Sequence, residues 1–200
     1  MLLLFFFTFV LRMKQVLVID CHDSFVYNLV QLLRESQCCT YEVVSVDEIP
    51  FQRLSNFTHL LLSPGPGLPI DYPFLFHLLD KTLKTHHILG VCLGMQAIAE
   101  FLGCKLYRFD LPKHGHESFL HILNDNDLFR NIPQQSAIGR YHSSAVQPNS
   151  LADEVQLLAF DDEQHIMALR HCNYPVYGVQ FHPESVITEH GRQLIRNWLL

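Results

Sequence analysis

The order of apolar segments predicts an α/β protein with a mixed, mostly parallel central sheet, helices on both faces and an added antiparallel portion. In the first half of the chain, short apolar strands alternate with helix-length segments, and parallel strands need such long crossover connections. In the second half, strand-like segments follow one another across turns, which favours antiparallel pairing. Hydrophobic residues make up 48% of the 200 residues and charged residues 17%, which allows a sizeable core.

The first half supplies four predicted strands and three predicted helices. The strands are short apolar runs, as in buried parallel sheets, at residues 15–20, 41–46, 58–63 and 87–91. A first helix is predicted at 23–36, where apolar side chains recur at helical spacing, at Phe25, Leu29, Leu32 and Leu33. Either Asp23 or Ser24 can cap its start. Two more helices are predicted at 71–84 and from about Cys92 onward.

The second half supplies four further strand-like segments and a closing helix. The strands are predicted at residues 117–123, 154–162, 166–171 and 176–181. The final segment, 188–200, predicts a helix that carries Leu194, Ile195 and Trp198 on one face.

The first residues, MLLLFFFTFVL, form an apolar run with no preceding basic residue and no small-residue cleavage site. The run is too short to span a bilayer, which takes about 20 apolar residues. We expect translation to begin at Met13, residues 1–12 to be a mis-assigned leader, and residues 13–200 to form one domain. A membrane anchor is the alternative interpretation of the run.

The net charge and the cysteine pattern indicate which partners and which cellular compartment suit the protein. The formal net charge is -6 without a long basic run, which argues against nucleic acid as a partner. Six cysteines show no C-x-x-C pair, so a reducing cytoplasm is the simplest setting. The nearest metal-like pattern, HGHE at 114–117, does not have the usual ligand spacing, and we predict no metal and no cofactor.

The segment GVCLG places Cys92 between Gly90 and Gly94, at the end of a predicted strand and the start of a predicted helix. This pattern is similar to the G-x-S-x-G turn of hydrolases, with a thiol in place of the hydroxyl. A helix N-terminus favours a thiolate, and the free backbone N–H of Leu93 can stabilise an oxyanion. Because most free cysteines are simply buried apolar groups, this segment alone leaves both interpretations open.

Two other segments can supply the base and the second oxyanion donor that a thiolate nucleophile needs. In GVQFHPES, Pro183 favours extended backbone at His182, which can serve as the base, and Glu184 can orient its imidazole. In LLLSPGPGLP, a rigid loop follows a strand, and the N–H of Gly65 can complete an oxyanion hole with Leu93. Taken singly, each segment is also typical of an ordinary turn.

In their order, the motifs SPGPG, GVCLGMQA, RYHSS and GVQFHPES closely resemble those of the class I glutamine amidotransferases. The opening DCHDSFVYNL narrows the resemblance to the amidotransferase subunits of anthranilate synthase and 4-amino-4-deoxychorismate synthase. The resemblance runs from about Lys14 to the C-terminus. It implies a flavodoxin-like fold, hydrolysis of L-glutamine, and delivery of ammonia to a separate chorismate-binding synthase subunit, with no nucleic acid or membrane involved.

The resemblance also implies roles for particular residues. It makes Cys92 the nucleophile, His182 the base and Glu184 its partner, with Gly65 and Leu93 at the oxyanion hole. Further positions match those that hold glutamine in the family, namely Gly65, Pro66, Gly67, Gln96, Ser143 and Ser144.

The chain departs from the family pattern at several positions. Ser144 stands where leucine is usual, and His116 replaces a lysine in a segment that the resemblance places toward the synthase partner. Cys21 and His22 replace an asparagine and an aromatic or aliphatic residue. The catalytic positions are intact.

Three alternatives remain at this point. One is an amidotransferase for another acceptor, in guanine, pyrimidine or histidine synthesis, although the stand-alone length and the DSFVYNL opening favour chorismate. Another is a cysteine hydrolase that cleaves γ-glutamyl peptides without a partner. The third is a non-catalytic scaffold, which the retained Cys92 and His182 disfavour. The sequence does not decide between anthranilate and 4-amino-4-deoxychorismate.

Overall fold

The computed structural model describes residues 13–123 and 126–200 of the chain. Four α-helices lie in these residues: α1 (Val26–Ser36), α2 (Pro73–Thr82), α3 (Leu93–Phe101) and α4 (Gly191–Leu199). The strands are β1 (Lys14–Asp20), β2 (Cys39–Ser45), β3 (His59–Leu62), β4 (His87–Val91), β5 (Leu106–Arg108), β6 (His116–Phe119), β7 (His121–Ile122), β8 (Ala137–Arg140), β9 (Ser144–Val146), β10 (Val155–Phe160), β11 (Ile166–His171) and β12 (Val176–Val179).

The central sheet has eight strands in the order β2-β1-β3-β4-β12-β11-β10-β7. Strands β2, β1, β3, β4 and β12 run parallel, and β11, β10 and β7 extend the sheet in antiparallel fashion. Two small antiparallel pairs, β5 with β9 and β6 with β8, lie outside it. The predicted class, a mostly parallel mixed sheet with an antiparallel addition, is confirmed.

One pairing decides where the functional residues meet. The late strand β12 lies beside β4, with Val179 in register with Val91. Since parallel strands end at the same edge of a sheet, the residues after β12 are brought next to those after β4.

The core has two layers, one on each face of the sheet. On one face, α1 and α4 bury apolar side chains that include Leu29, Leu33, Ile195 and Trp198. On the other face, α2 and α3 bury side chains that include Leu75, Leu79, Met95 and Ile98. The predicted apolar face of the closing helix is confirmed, because Leu194, Ile195 and Trp198 are all nearly fully buried.

The start of α1 differs from the prediction. The helix begins at Val26, the residue before it is Phe25, and no side chain caps it, so the predicted cap by Asp23 or Ser24 is wrong. The carboxylate of Asp23 instead accepts the N–H of Phe25 at 2.7 Å, in the turn that precedes the helix. Phe25 is 54% exposed and does not join the buried face.

The predicted strand at 117–123 divides into two. β6 pairs with β8, and β7 joins the central sheet beside β10. Three short strands that the pattern did not reveal, β5, β8 and β9, complete the small antiparallel pairs. Within the described ranges, no helix has the length and apolar character needed to cross a membrane. The prediction for residues 1–12 falls outside these ranges.

The packing of α4 generates a stability prediction. Ile195 is fully buried, so Ile195→Ala should lower the free energy of unfolding by about 2–5 kcal/mol through the cavity it leaves. Arg196→Ala, on the exposed side of the same helix, should change it by less than about 0.5 kcal/mol. Urea unfolding measures both values. Equal effects of the two substitutions would contradict the packing described.

Candidate active site

Cys92 lies at a sharp junction between β4 and α3. It has a positive φ of 52° with ψ of -102°, a backbone conformation that side-chain-bearing residues rarely adopt. Its backbone N–H donates to the carbonyl of Val179 at 2.8 Å, which ties the junction to β12. The residue is 6% exposed. A strained residue between a strand and a helix is typical of a nucleophile turn.

The two glycines around Cys92 are required by close backbone approach. A Cβ on Gly90 would lie 2.4 Å from the backbone carbon of Gly94, and one on Gly94 would lie 2.5 Å from the carbonyl oxygen of Leu62. No real Cβ tolerates such distances. The glycines therefore allow α3 to start directly against β3 and β4, with Cys92 at its N-terminus.

The sheet brings His182 to the same edge. Its backbone N–H donates to the carbonyl of Gly139 at 3.0 Å, and its carbonyl accepts the hydroxyl of Thr188 at 2.7 Å. The imidazole Nδ1 lies 2.6 Å from Oε1 of Glu184, whose side chain is 2% exposed. Because a carboxylate accepts, Nδ1 donates in this pair. The other nitrogen, Nε2, is buried with no hydrogen-bond partner among residues 13–123 and 126–200.

The environment of His182 favours the charged imidazolium. Burial opposes the charge, but interactions with the Cys92 sulfur and the Glu184 carboxylate overcome it and raise the pKa of His182 well above its usual value. A protonated imidazole beside a thiol is the arrangement that keeps the sulfur as a reactive thiolate.

Tyr141 also contacts the imidazole of His182, and the sequence did not reveal this contact. Its ring lies edge-on to that of His182, with centroids 5.0 Å apart, and its hydroxyl lies 3.0 Å from Oγ of Ser185. The His182 ring is therefore fixed both by a carboxylate behind it and by an aromatic ring beside it.

The two predicted oxyanion positions lie side by side. A Cβ on Gly65 would lie 2.7 Å from Cδ2 of Leu93, so the loop after β3 packs directly on the start of α3. Leu93 is the first residue of that helix, where a backbone N–H has no acceptor within the helix. The hydroxyl of Tyr72 holds the loop through contacts to the carbonyls of Pro66 and Cys21, at 2.9 and 3.2 Å.

A cavity of about 680 Å³ lies at this site, and Leu93 is not among its lining residues. The predicted residues that line it are Cys92, His182, Glu184, Gly65 and Pro66. Four other predicted glutamine-binding residues, Gly67, Gln96, Ser143 and Ser144, are not among its lining residues. Gln96 and Ser144 are buried behind the sulfur, 3% and 4% exposed. Their contact with substrate stays a prediction.

A buried ion pair supports the region behind the sulfur. Arg140 and Asp161 are both fully buried and paired, and Nε of Arg140 donates to Nε2 of His142 at 3.2 Å. Burial, together with the charge of Arg140, lowers the pKa of His142 to about 3, so this imidazole is neutral. Its Nδ1 lies 2.8 Å from the carbonyl oxygen of Ser144. Sequence reasoning missed this network, although Arg140, His142 and Ser144 lie in the RYHSS segment.

Carboxylates near this network could suggest a cation site. Donor atoms of Asp161, Glu163 and His165 lie within 4.8 Å of one another. However, Arg140 pairs with Asp161, and Nζ of Lys113 lies 2.8 Å from Glu163. These contacts make the cluster an ion-pair network.

Comparison with known proteins relates this arrangement to one family. The profile of the family described as glutamine amidotransferase class-I matches residues 17–200. A Haemophilus influenzae protein with the provisional name anthranilate synthase component II is 40% identical over 92% of this chain and 95% of its own length. Anthranilate synthase component 2 of Methanothermobacter marburgensis is 35% identical over 93% of this chain and 98% of its own.

A solved structure supports the fold. A glutamine amidotransferase from Thermotoga maritima superposes with a TM-score of 0.79 at 19% identity, over 94% of this chain and 97% of its own. At that identity the likeness concerns the fold.

The pairing of His182 with Glu184 generates a pH prediction. Glu184→Gln keeps the size and an oxygen acceptor but removes the negative charge that favours the imidazolium, so the pKa of His182 should fall. NMR titration of the imidazole measures it. Tyr141→Phe, which keeps the ring contact, should leave the pKa nearly unchanged. A pKa that Glu184→Gln does not lower would contradict the role of the carboxylate.

Proposed function

The chain belongs to the class I glutamine amidotransferases, and from this membership we propose that Cys92, His182 and Glu184 form its catalytic triad. The proposed reaction is the hydrolysis of L-glutamine to glutamate and ammonia. The observation that carries the proposal is the position of Cys92 at a strained strand–helix junction, in one cavity with a carboxylate-bound His182.

The first half of the reaction uses groups in the cavity and the adjacent start of α3. The thiolate of Cys92 attacks the carboxamide carbon of glutamine, and the carbonyl electrons move to oxygen. The backbone N–H groups of Leu93 and Gly65 stabilise this oxyanion, each by about 3 kcal/mol in comparable sites. The protonated Nε2 of His182 then gives its proton to the leaving nitrogen, and ammonia departs from a γ-glutamyl thioester.

The second half reverses the role of the imidazole. Neutral His182 takes a proton from a water molecule, the resulting hydroxide attacks the thioester carbon, and the sulfur leaves as thiolate. Glu184 keeps Nδ1 protonated throughout, so that Nε2 is always the nitrogen that exchanges protons. Glutamate is released and the thiolate–imidazolium pair is restored.

The ammonia needs an acceptor site close by, because in water it becomes protonated and loses its nucleophilic lone pair. We place this acceptor site in a separate chorismate-binding synthase subunit. Relatives that match nearly the whole chain carry the name anthranilate synthase component II or 2. Phe25 and Val186 line the cavity and are 54% exposed and fully exposed, respectively, which supports docking of a partner around its mouth.

The names of the relatives favour anthranilate as the product, and thus a role in tryptophan synthesis. The alternative is 4-amino-4-deoxychorismate, in folate synthesis, since the synthase subunit decides which position of chorismate is aminated. The compartment we propose is the cytoplasm. All six cysteines are free, including the adjacent Cys38 and Cys39, which suits a reducing environment.

The proposal is tested with the complex purified from its native cells through a tag on this chain. Cys92→Ser should abolish product formation from chorismate and glutamine, and leave product formation from chorismate and ammonium ion intact. The reason is that the thiolate is needed to release ammonia but not to use it. The control is Cys172→Ser. Cys172 is exposed and follows β11, which runs antiparallel to β12, so it lies at the opposite edge of the sheet from Cys92, and both activities should be kept. Chromatography of the product separates anthranilate from 4-amino-4-deoxychorismate.

Two outcomes would overturn the assignment. Glutamine-dependent synthesis at the wild-type rate in Cys92→Ser would remove Cys92 as the nucleophile. Rapid cleavage of γ-glutamyl peptides by the isolated wild-type chain, with no chorismate-dependent activity in the complex, would indicate a stand-alone hydrolase instead.

A further inference from the structure

A row of buried amide side chains that do not line the cavity leads to the sulfur of Cys92. Nε2 of Gln180 lies 3.6 Å from Sγ of Cys92, and Oε1 of Gln180 lies 3.1 Å from Nε2 of Gln96. Nε2 of Gln96 also lies 2.9 Å from the carbonyl oxygen of Ser144. Gln180 is fully buried and Gln96 nearly so, and buried amide groups of this kind need hydrogen-bond partners within the protein.

The donor and acceptor of each hydrogen bond in this row of amides can be assigned by starting from the contact between Arg140 and His142. A guanidinium only donates, so Nε2 of His142 accepts from Arg140, and the proton of the neutral ring lies on Nδ1. That Nδ1–H donates to the carbonyl oxygen of Ser144. The same carbonyl can accept but not donate, so Gln96 must turn its NH₂ group toward it.

The second hydrogen of the Gln96 NH₂ group then fixes Gln180. It donates to Oε1 of Gln180, so the oxygen of that side chain faces Gln96. The NH₂ group of Gln180 is thereby directed at the sulfur of Cys92. Turning the Gln180 amide over would bring two NH₂ groups together and point an oxygen lone pair at the sulfur.

We propose that Gln180 is a further catalytic residue, whose amide N–H donates to the sulfur of Cys92 and stabilises the attacking thiolate, and that Gln96 is a positioning residue that holds Gln180 in this orientation. The inference rests on the proposed function in taking Cys92 as the nucleophile. It adds a donor that is present before substrate arrives.

A buried thiolate needs such a donor. Cys92 is 6% exposed, so water solvates its sulfur poorly and hydrogen-bond donors must come from the protein. The imidazolium of His182 no longer stabilises the sulfur once it has given its proton to the leaving group. Gln180 carries no exchangeable charge, so its N–H remains directed at the sulfur through the whole cycle.

This role differs from the one that the family resemblance implies for Gln96. Both hydrogens of its Nε2 are used by Ser144 and Gln180, which leaves Oε1 as the atom able to meet a substrate. If Gln96 acts on glutamine alone, its replacement has no effect on the sulfur in the absence of glutamine. If it positions Gln180, its replacement changes the sulfur directly.

The experiment measures the reactivity of Cys92 in the full chain, without glutamine. Iodoacetamide alkylation is followed between pH 5 and pH 10, and the Cys92 peptide is quantified by mass spectrometry. Gln180→Met is similar in size but has no N–H. It should raise the midpoint of the pH profile by about one pH unit, which at pH values below the midpoint is an about tenfold slower alkylation. Gln180→Glu, which replaces the donor by a charged acceptor, should raise the midpoint further.

Exposed Cys172 in the same samples is the internal reference, and its profile should be identical in all variants. Gln96→Met should raise the Cys92 midpoint by less than Gln180→Met, since the Gln180 donor remains but is no longer held. Circular dichroism verifies that each variant is folded.

A folded Gln180→Met variant whose Cys92 profile coincides with that of the wild type would overturn the proposal. A profile altered by Gln180→Met but not by Gln96→Met would remove the positioning role of Gln96. The alkylation profiles are measured without glutamine, so they do not depend on the Cys92→Ser test. If that test contradicted the amidotransferase assignment, the profiles would still show whether Gln180 donates to the sulfur.

Discussion

The site depends on the backbone conformation at Cys92. A positive φ at this residue turns the chain from β4 into α3 within a single residue and leaves the side chain at the helix N-terminus. The turn is possible because Gly90 and Gly94 lack the Cβ atoms that would meet neighbouring backbone at 2.4 and 2.5 Å. The bond from the Cys92 N–H to Val179 ties it to the sheet. Strain of this kind persists when its surroundings over-determine it, as they do here.

The second contribution comes from β12, which lies between the parallel and antiparallel halves of the sheet. Two of the three residues after its paired segment lie beside the sulfur. Gln180 approaches it from the protein interior, and His182 from the cavity, with Phe181 packed into the core between them. In the proposed reaction the neutral donor on one side stabilises the thiolate, and the titrating ring on the other side moves protons.

Much of this arrangement could be predicted from the sequence, because its signals are local. The strand at 87–91 and the turn at Cys92 are predicted from residues that are adjacent in the sequence, and Pro183 constrains the backbone of its neighbour His182. The amide chain could not be predicted, since Gln96 and Gln180 are 84 residues apart and a buried glutamine has no periodic signature. β8 was missed for a related reason: Arg140 looks like an exposed residue until its distant partner Asp161 is known to be buried beside it.

The position of β12 also has a consequence for the protein while it is being synthesised. A ribosome makes β1 to β4, and with them the cysteine, well before it makes the strand that must insert beside β4. Until then the thiol of a nascent chain has neither the imidazole of His182 nor the amide of Gln180 beside it, so in the proposed reaction an unfinished chain cannot release ammonia. Late insertion of one central strand therefore delays assembly of the proposed site until β12 has been made and has paired with β4.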